Sequence, residues 1–363
     1  MMKRQSFLIY LLSVLLGFLL LFFVIGSTRA EEVRLDDEGA NATITVGLVV
    51  SEAGIDGDTY NWLSYQGLLR AETELGVTGT VYTPTDSTDY EARFQQCAND
   101  GNELCITPVF MMSEAILNAA NNNPGHKFAN IDTEFETYPD NLRGVQFARA
   151  ESGYLAGVLA GLMSESDVVG NIGGMMIPAV DEFVVSYRNG AQCANPSVTV
   201  LVDYAGDFGN PTLGAEMAQA MIAQGADVIF APAGGTGTGA VLTATQSGAW
   251  GIGVDIDFYY SVFGGGTVPG ADKLLSSAVN RVDNAVFETI SETVQGAFTS
   301  GTVFYGLEAE GVGLAPFHEA DAVVPQSVKD ALEATRLGII NGSIDPAEDC
   351  REHVFLPAMS RPN

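Results

Sequence analysis

Asp227-Val228-Ile229-Phe230-Ala231-Pro232-Ala233-Gly234-Gly235-Thr236-Gly237-Thr238-Gly239-Ala240 is the stretch whose reading decides the fold class of this chain. An apolar run of strand length ends in a glycine turn that opens a helix. Such a turn presents backbone N–H groups, and the helix dipole behind it favours electron-rich oxygens. No GK[ST] follows, and the glycines are not spaced GxGxxG, so neither a P-loop nor a dinucleotide fingerprint is present. Taken alone, the turn fits contact with ligand hydroxyls or a tight connection with no ligand.

The same rhythm recurs on both sides. Upstream, strands are expected over residues 44–50, 80–82, 104–110, 127–131 and 144–147, with helices over 60–74, 90–99 and 112–121 between them. A glycine-studded helix over 154–163 opens a second series, with strands at 168–172, 198–204, 227–231 and 250–254. Alternation of this kind implies parallel sheets with helices on both faces, and ligands then gather at the carboxyl ends of the strands. Segment 274–298 carries Val279, Val282, Val286, Ile290 and Val294 at helical spacing and is expected to return to the first lobe. With 363 residues, two α/β lobes are expected rather than one core. The first would hold 44–146 plus about 274–300, the second 147–273 plus about 301–345, with 346–363 as a tail.

The balance of 45 Asp and Glu against 16 Lys and Arg, a formal charge of −29, excludes a nucleic-acid binder that works through a basic surface. Lys3 and Arg4 precede an apolar run over 7–25, and Thr28 and Ala30 offer small residues for cleavage before Glu31. Residues 1–30 therefore read as a signal peptide, or as an uncleaved membrane anchor, which places the rest outside the cytoplasm. No cysteine follows the run, so lipid attachment is not expected, and 31–43 form an acidic tether.

Outside the cytoplasm disulfides persist. Cys97 with Cys105 would close a short loop and leave Cys193 with Cys350, the alternative being buried free thiols. No CxxC is present and the three histidines stand in unrelated contexts, so neither a metal nor a cofactor is expected.

Asp132 terminates one expected strand, Asp255 and Asp257 another, and Tyr60, Asn61 and Trp62 follow the first. At strand ends facing a cleft, carboxylates and amides accept or donate hydrogen bonds to a ligand and aromatics sandwich a planar one. Each aspartate fits a helix cap equally well. No serine lies in GxSxG and no histidine sits at a strand end with a partner, so an enzyme is disfavoured.

Over roughly residues 44–345 the chain resembles the basic membrane protein family, the PnrA-like substrate-binding components of ABC importers. The matching blocks are Gly54-Ile55-Asp56 with Tyr60-Asn61; Tyr154-Leu155-Ala156-Gly157; Gly173-Gly174-Met175 with Ile177-Pro178 and Phe183; and Gln224-Gly225-Ala226-Asp227-Val228-Ile229-Phe230. They continue through Ala233-Gly234-Gly235-Thr236-Gly237, Gly253-Val254-Asp255, Arg281-Val282-Asp283 and Gly311-Val312-Gly313-Leu314. The resemblance implies a type 1 periplasmic-binding fold, two Rossmann-like lobes with parallel sheets joined by crossover strands and closing over a purine nucleoside. It further implies that Tyr60 and Phe183 sandwich the base and that Asn61 and Asp132 address its polar edge. Asp255, with Gly235 and Thr236 of the glycine turn, would hold the ribose. The family's lysine before Arg281-Val282-Asp283 is Asn280 here, which alters the ribose end; Gly57 and Met176 stand where the family is commonly acidic.

The implied role is a monomeric solute receptor that delivers its ligand to an ABC permease and ATPase. A membrane-anchored sensor ectodomain and a secreted nucleoside-acting enzyme are the alternatives. With few lysines or arginines expected near the cleft, a neutral ligand is favoured over a phosphorylated one.

Overall fold

The computed structural model describes residues 44–55 and 60–348. The signal or anchor segment, the tether, Gly57, Cys350 and the remainder of the tail lie outside the described residues. Among those described, no helix is long and apolar enough to cross a membrane.

Two six-stranded sheets organise the chain, ordered β11-β5-β4-β3-β1-β2 and β12-β10-β9-β8-β6-β7. The first contains β1 (Thr45–Val49), β2 (Thr78–Tyr82), β3 (Leu104–Thr107), β4 (Lys127–Ile131), β5 (Leu142–Phe147) and β11 (Gly301–Tyr305). All of its pairings are parallel. The second contains β6 (Val168–Gly173), β7 (Thr199–Tyr204), β8 (Val228–Phe230), β9 (Trp250–Asp255), β10 (Leu274–Asn280) and β12 (Val312–Leu314). Only its edge pair, β10 with β12, is antiparallel.

The ten described helices are α1 (Tyr60–Leu75), α2 (Tyr90–Asn99), α3 (Ser113–Asn122), α4 (Arg149–Met163), α5 (Pro178–Ala194), α6 (Pro211–Ala223), α7 (Gly234–Gln246), α8 (Phe258–Ser261), α9 (Val282–Val294) and α10 (Gln326–Ile340). Parallel strands need crossovers of this length, which is why nearly every strand is followed by a helix. The result is an α/β fold of two doubly covered, mainly parallel sheets.

Segment 274–298 departs from its sequence reading. Its first seven residues are β10, buried throughout, and the helix begins only at Val282. Val282, Val286, Ile290 and Val294 do lie on the helix; only Val279 belongs to the strand, and its spacing of three from Val282 extends the helical pattern backwards by chance. As a result the segment 274–280 lies in the second sheet and 301–305 in the first, the reverse of the expected division at those two places. The chain passes between the sheets three times: from β5 into α4, from β10 into α9, and from β11 to β12.

In the first lobe the two sheet faces carry separate apolar clusters, one under α1 and α9 and the other, with Phe94, Met112 and Phe128, under α2 and α3. Cys97 at the end of α2 and Cys105 in β3 are joined by a disulfide, with Cα atoms 6.2 Å apart. No described cysteine is free, and the pairing of Cys193 with Cys350 involves a residue outside the described set.

In the second lobe α4 lies directly on α5. A Cβ at Gly157 would strike the Tyr187 carbonyl and the Ala191 backbone, so only glycine permits this separation. Gly157→Ala should therefore cost about 1–3 kcal/mol, the scale of overpacking a tight contact. Urea unfolding should show a lower midpoint with an unchanged slope; an unchanged midpoint would mean that the helices yield freely.

Candidate functional site

The carboxyl ends of β4 and β9 are built alike. Each strand stops at an aspartate in the left-handed backbone region, Asp132 at φ 62° and Asp255 at φ 64°. Non-glycine residues occupy this region at a cost, and such positions concentrate where a binding site imposes them. One carboxylate therefore comes from each sheet. Asp132 leaves β4 beside β5, and Arg149 at the start of α4 forms an ion pair with it. Arg149 stands at the first passage between the sheets, with its side chain only 9% exposed.

From the other lobe Asp255 lies next to Asn280. Val279 is the register partner of Asp255, so the following residue, at the end of β10, reaches across to it. Asn280 Nδ2 donates to Asp255 Oδ1 at 3.0 Å and to the Tyr60 hydroxyl at 3.0 Å. Tyr60 begins α1 of the first lobe, so this amide bridges the two sheets. Asn280 is 1% exposed, and its Oδ1 has no hydrogen-bond partner. A buried amide oxygen left empty costs free energy, and a ligand donor would recover it.

Burial drives the electrostatics. It pushes the Asp255 carboxyl pKa upward, while the Arg149 charge and the Tyr60 hydroxyl pull it back. It also raises the Tyr60 phenol, with the Asp255 charge adding to the effect. Glu182 on α5 is raised by burial and lowered by Arg149. A single guanidinium thus acts on carboxylates of both lobes.

The expected residues divide once they are placed. Tyr60, Asp132, Asp255 and Asn280 converge as described. Gly235 is exposed at the start of α7, where the Thr236 N–H is taken by the Phe208 carbonyl and the Gly237 N–H by that of Ala233. Thr236 is buried and its hydroxyl accepts from Asn210 N at 2.9 Å, so it supports the turn from inside. Asn61 donates to Ser51 Oγ at 2.7 Å and to the Gly54 carbonyl at 2.8 Å, which commits its amide to holding the β1–α1 loop.

Phe183 lies in the core of the second lobe rather than on an open wall. It is 3% exposed and packs edge-on against Phe230 at 6.0 Å, while Tyr187 stacks on the same ring at 5.1 Å. Its helical spacing from Tyr187 on α5 is the signature of a packed stripe.

Two residues escaped the sequence reading. Phe208, 37% exposed in the loop after β7, lies against Gly174 and the Gly234-Gly235 turn. Arg149 was hidden because α4 begins five residues before its expected start, and it adds a cation to a cleft expected to have few. His318 also pairs with Asp257 at 2.7 Å, which caps α8 by accepting from Tyr259 N and steadies the loop beyond Asp255.

A separate cavity of about 660 Å³ lies between β12 and α10. Each of its cations is already matched, Arg281 with Asp283, Lys329 with Asp321 and Arg336 with Glu333, so it offers an anionic ligand no open cation.

Two parallel-sheet lobes with one acidic strand end from each define a solute-binding protein of the type 1 periplasmic fold. The chain matches over residues 44–349 the model of the ABC transporter substrate-binding protein PnrA-like family, and it belongs to that family. The ABC transporter nucleoside-binding protein BmpA of Lactococcus lactis is 28% identical, over 88% of this chain and 94% of its own. A CD4+ T-cell-stimulating antigen of Listeria innocua is likewise 28% identical, over 96% and 99%. Among solved structures, an ABC transporter solute-binding protein of Aeropyrum pernix superposes with a TM-score of 0.64 at 26% identity, covering 83% of this chain and 92% of that one.

The raised Asp255 pKa carries a signed consequence. Its native value exceeds the unfolded value near 3.9, so the folded state loses stability as pH rises from the unfolded to the native pKa. Ligand-free Asp255→Asn should therefore melt above the wild type at neutral pH, and the gain should vanish below about pH 4. A melting difference independent of pH would show that the effect is not ionisation.

Proposed function

We propose that this protein is an extracytoplasmic receptor that captures a purine nucleoside between its lobes and hands it to the permease and ATPase of an ABC importer. It binds and releases without making or breaking covalent bonds, as a monomer. The observation that carries this reading is the Tyr60–Asn280–Asp255 set, which draws on both lobes and leaves Asn280 Oδ1 empty. A buried carboxylate beside an open amide acceptor suits neighbouring ribose hydroxyls, which donate to both. At the exposed start of α7 the N–H of Gly235, ahead of the two already taken by Phe208 and Ala233, adds a backbone donor for a hydroxyl oxygen. For the base, Tyr60 and Phe208 offer aromatic faces, with Phe208 in the role expected of Phe183. The name of the Lactococcus lactis relative, a nucleoside-binding protein, supports the same class of ligand.

A neutral ligand is favoured even though Arg149 lies in the cleft. Its charge is matched by Asp132 and shared with Asp255 and Glu182, so a phosphate would meet more acid than base.

Calorimetric titration with guanosine, inosine, adenosine and a nucleoside monophosphate tests the reading. Saturable heat is expected with at least one nucleoside and none with the nucleotide, and absence of binding by all three nucleosides would overturn it. Two alanine variants separate wall from core. Phe208→Ala should lose about 1–3 kcal/mol of binding, the scale of one base–aromatic stack, with little change in melting temperature. Phe183→Ala should instead lose about 3–5 kcal/mol of folding stability. If Phe183→Ala alone weakened binding at full stability, the assignment of the two rings would be reversed.

A further inference from the structure

The three passages between the sheets are unequal. The first is Ala148 alone, between β5 and α4, and the second is Arg281 alone, between β10 and α9. The third, between β11 and β12, runs over residues 306–311 with a glycine at each end and Glu308, Ala309 and Glu310 exposed. Left to itself, this is the connection that would let one lobe swing on the other.

It is nonetheless held near both ends, each time by the opposite lobe. Close to β11 of the first sheet, Leu307 N donates to Glu151 Oε2 at 2.6 Å, and Glu151 belongs to α4 of the second lobe. Close to β12 of the second sheet, the Glu310 carbonyl accepts from Asn284 Nδ2 at 2.8 Å, and Asn284 belongs to α9, which packs on α1 of the first lobe. Arg70 and Arg281 both donate to Asn284 Oδ1, which fixes the end of the amide that faces Glu310. Backbone bonds tie the same loop to the other two passages, from Ala148 N to the Tyr305 carbonyl at 3.1 Å and from Arg281 N to the Gly311 carbonyl at 2.7 Å. The bracing is crossed.

Glu151 is its charged member, and an ionised acceptor makes the stronger bond. A Cβ at Gly306 would stand 2.7 Å from Glu151 Oε2 and 3.0 Å from Oε1, so the glycine is what lets the carboxylate lie against this peptide. Burial raises the Glu151 pKa, the Leu307 bond pulls it back and the Glu308 charge adds to the rise. An acid is therefore kept here at a cost.

Resting on the interlobe site of the receptor reading above, we propose that Glu151 is a positioning residue for ligand capture. By bracing Leu307 from the opposite lobe, it fixes the angle between the sheets at which Tyr60, Asn280 and Asp255 meet. Without the brace the lobes range over wider angles, fewer molecules hold that set together, and apparent affinity falls with the competent fraction.

Three full-chain variants separate a brace from a merely structural residue. Glu151→Gln keeps an oxygen that accepts from Leu307, Glu151→Ala keeps none, and Gly306→Ala displaces the carboxylate without altering Glu151. In the ligand-free proteins, amide hydrogen exchange over 306–311 should be about tenfold or more faster in Glu151→Ala and Gly306→Ala, the scale of one hydrogen bond to a charged group, and close to wild type in Glu151→Gln. Small-angle scattering should give a larger radius of gyration for the same two variants only. Unchanged exchange in Glu151→Ala, no rescue by Gln, or an unchanged radius would overturn the proposal.

The effect on capture is read by calorimetric titration with guanosine, inosine and adenosine. The nucleoside that wild type binds best should bind roughly three- to tenfold more weakly to Glu151→Ala and Gly306→Ala, and within about twofold of wild type to Glu151→Gln. Equal affinity in all four proteins would overturn the role in capture. If wild type binds none of the three, the nucleoside assignment fails, and exchange and scattering alone decide whether the brace sets the angle.

Discussion

A single buried guanidinium facing carboxylates from two lobes is the constraint on which the cleft depends. Charges withdrawn from water are tolerable only when matched, and an unmatched buried carboxylate costs several kcal/mol. Asp132 and Asp255 come from different sheets, so the lobes can approach only if something positive lies between them. Arg149, at the first passage of the chain between the sheets, supplies it. Asn280 does the same work without charge, linking Asp255 to Tyr60 across the divide.

Much of the fold could be read from the sequence because parallel sheets write a coarse signal: apolar runs of strand length, glycine turns, and helices between them. Errors arose where two signals share one appearance. The run 274–280 is buried at every position although Ser276, Ser277 and Asn280 are polar, and its one valine, Val279, stands three residues ahead of the stripe of α9, so strand and helix share one pattern. Phe183 and Phe208 show the same difficulty for the site. The first belongs to a helical apolar stripe and packs inward, while the second follows Gly206 and Asp207 in a loop, where an aromatic has no core to enter. Arg149 was illegible for a simpler reason, since nothing in its neighbours announces that the helix begins there, and the burial of a charge is a property of the tertiary structure.

The scarcity of cations sharpens these assignments. In a chain with 16 lysines and arginines, several described ones are committed to packing. Arg143 is wholly buried, pairs with the partly exposed Glu292 and lies over Phe298, and Arg70 covers Phe287. Arg149 differs in standing between carboxylates of the two lobes rather than between a helix and its sheet. The left-handed backbone at Asp132 and Asp255 tells the same story in conformational terms, since each strand end accepts strain in order to aim a side chain.

The glycine contact between α4 and α5 gives the second lobe a mechanical character. Helix backbones that touch leave no compliant layer of side chains between them, so the lobe behaves as one stiff jaw. Any rotation of one sheet against the other is then concentrated in the three short passages between them. Arg149 stands on the first of these and Asn280 borders the second, so two polar residues of the candidate site also lie at the axle of any such rotation. A substitution at either position therefore acts on a passage between the sheets as well as on the strand ends beside it.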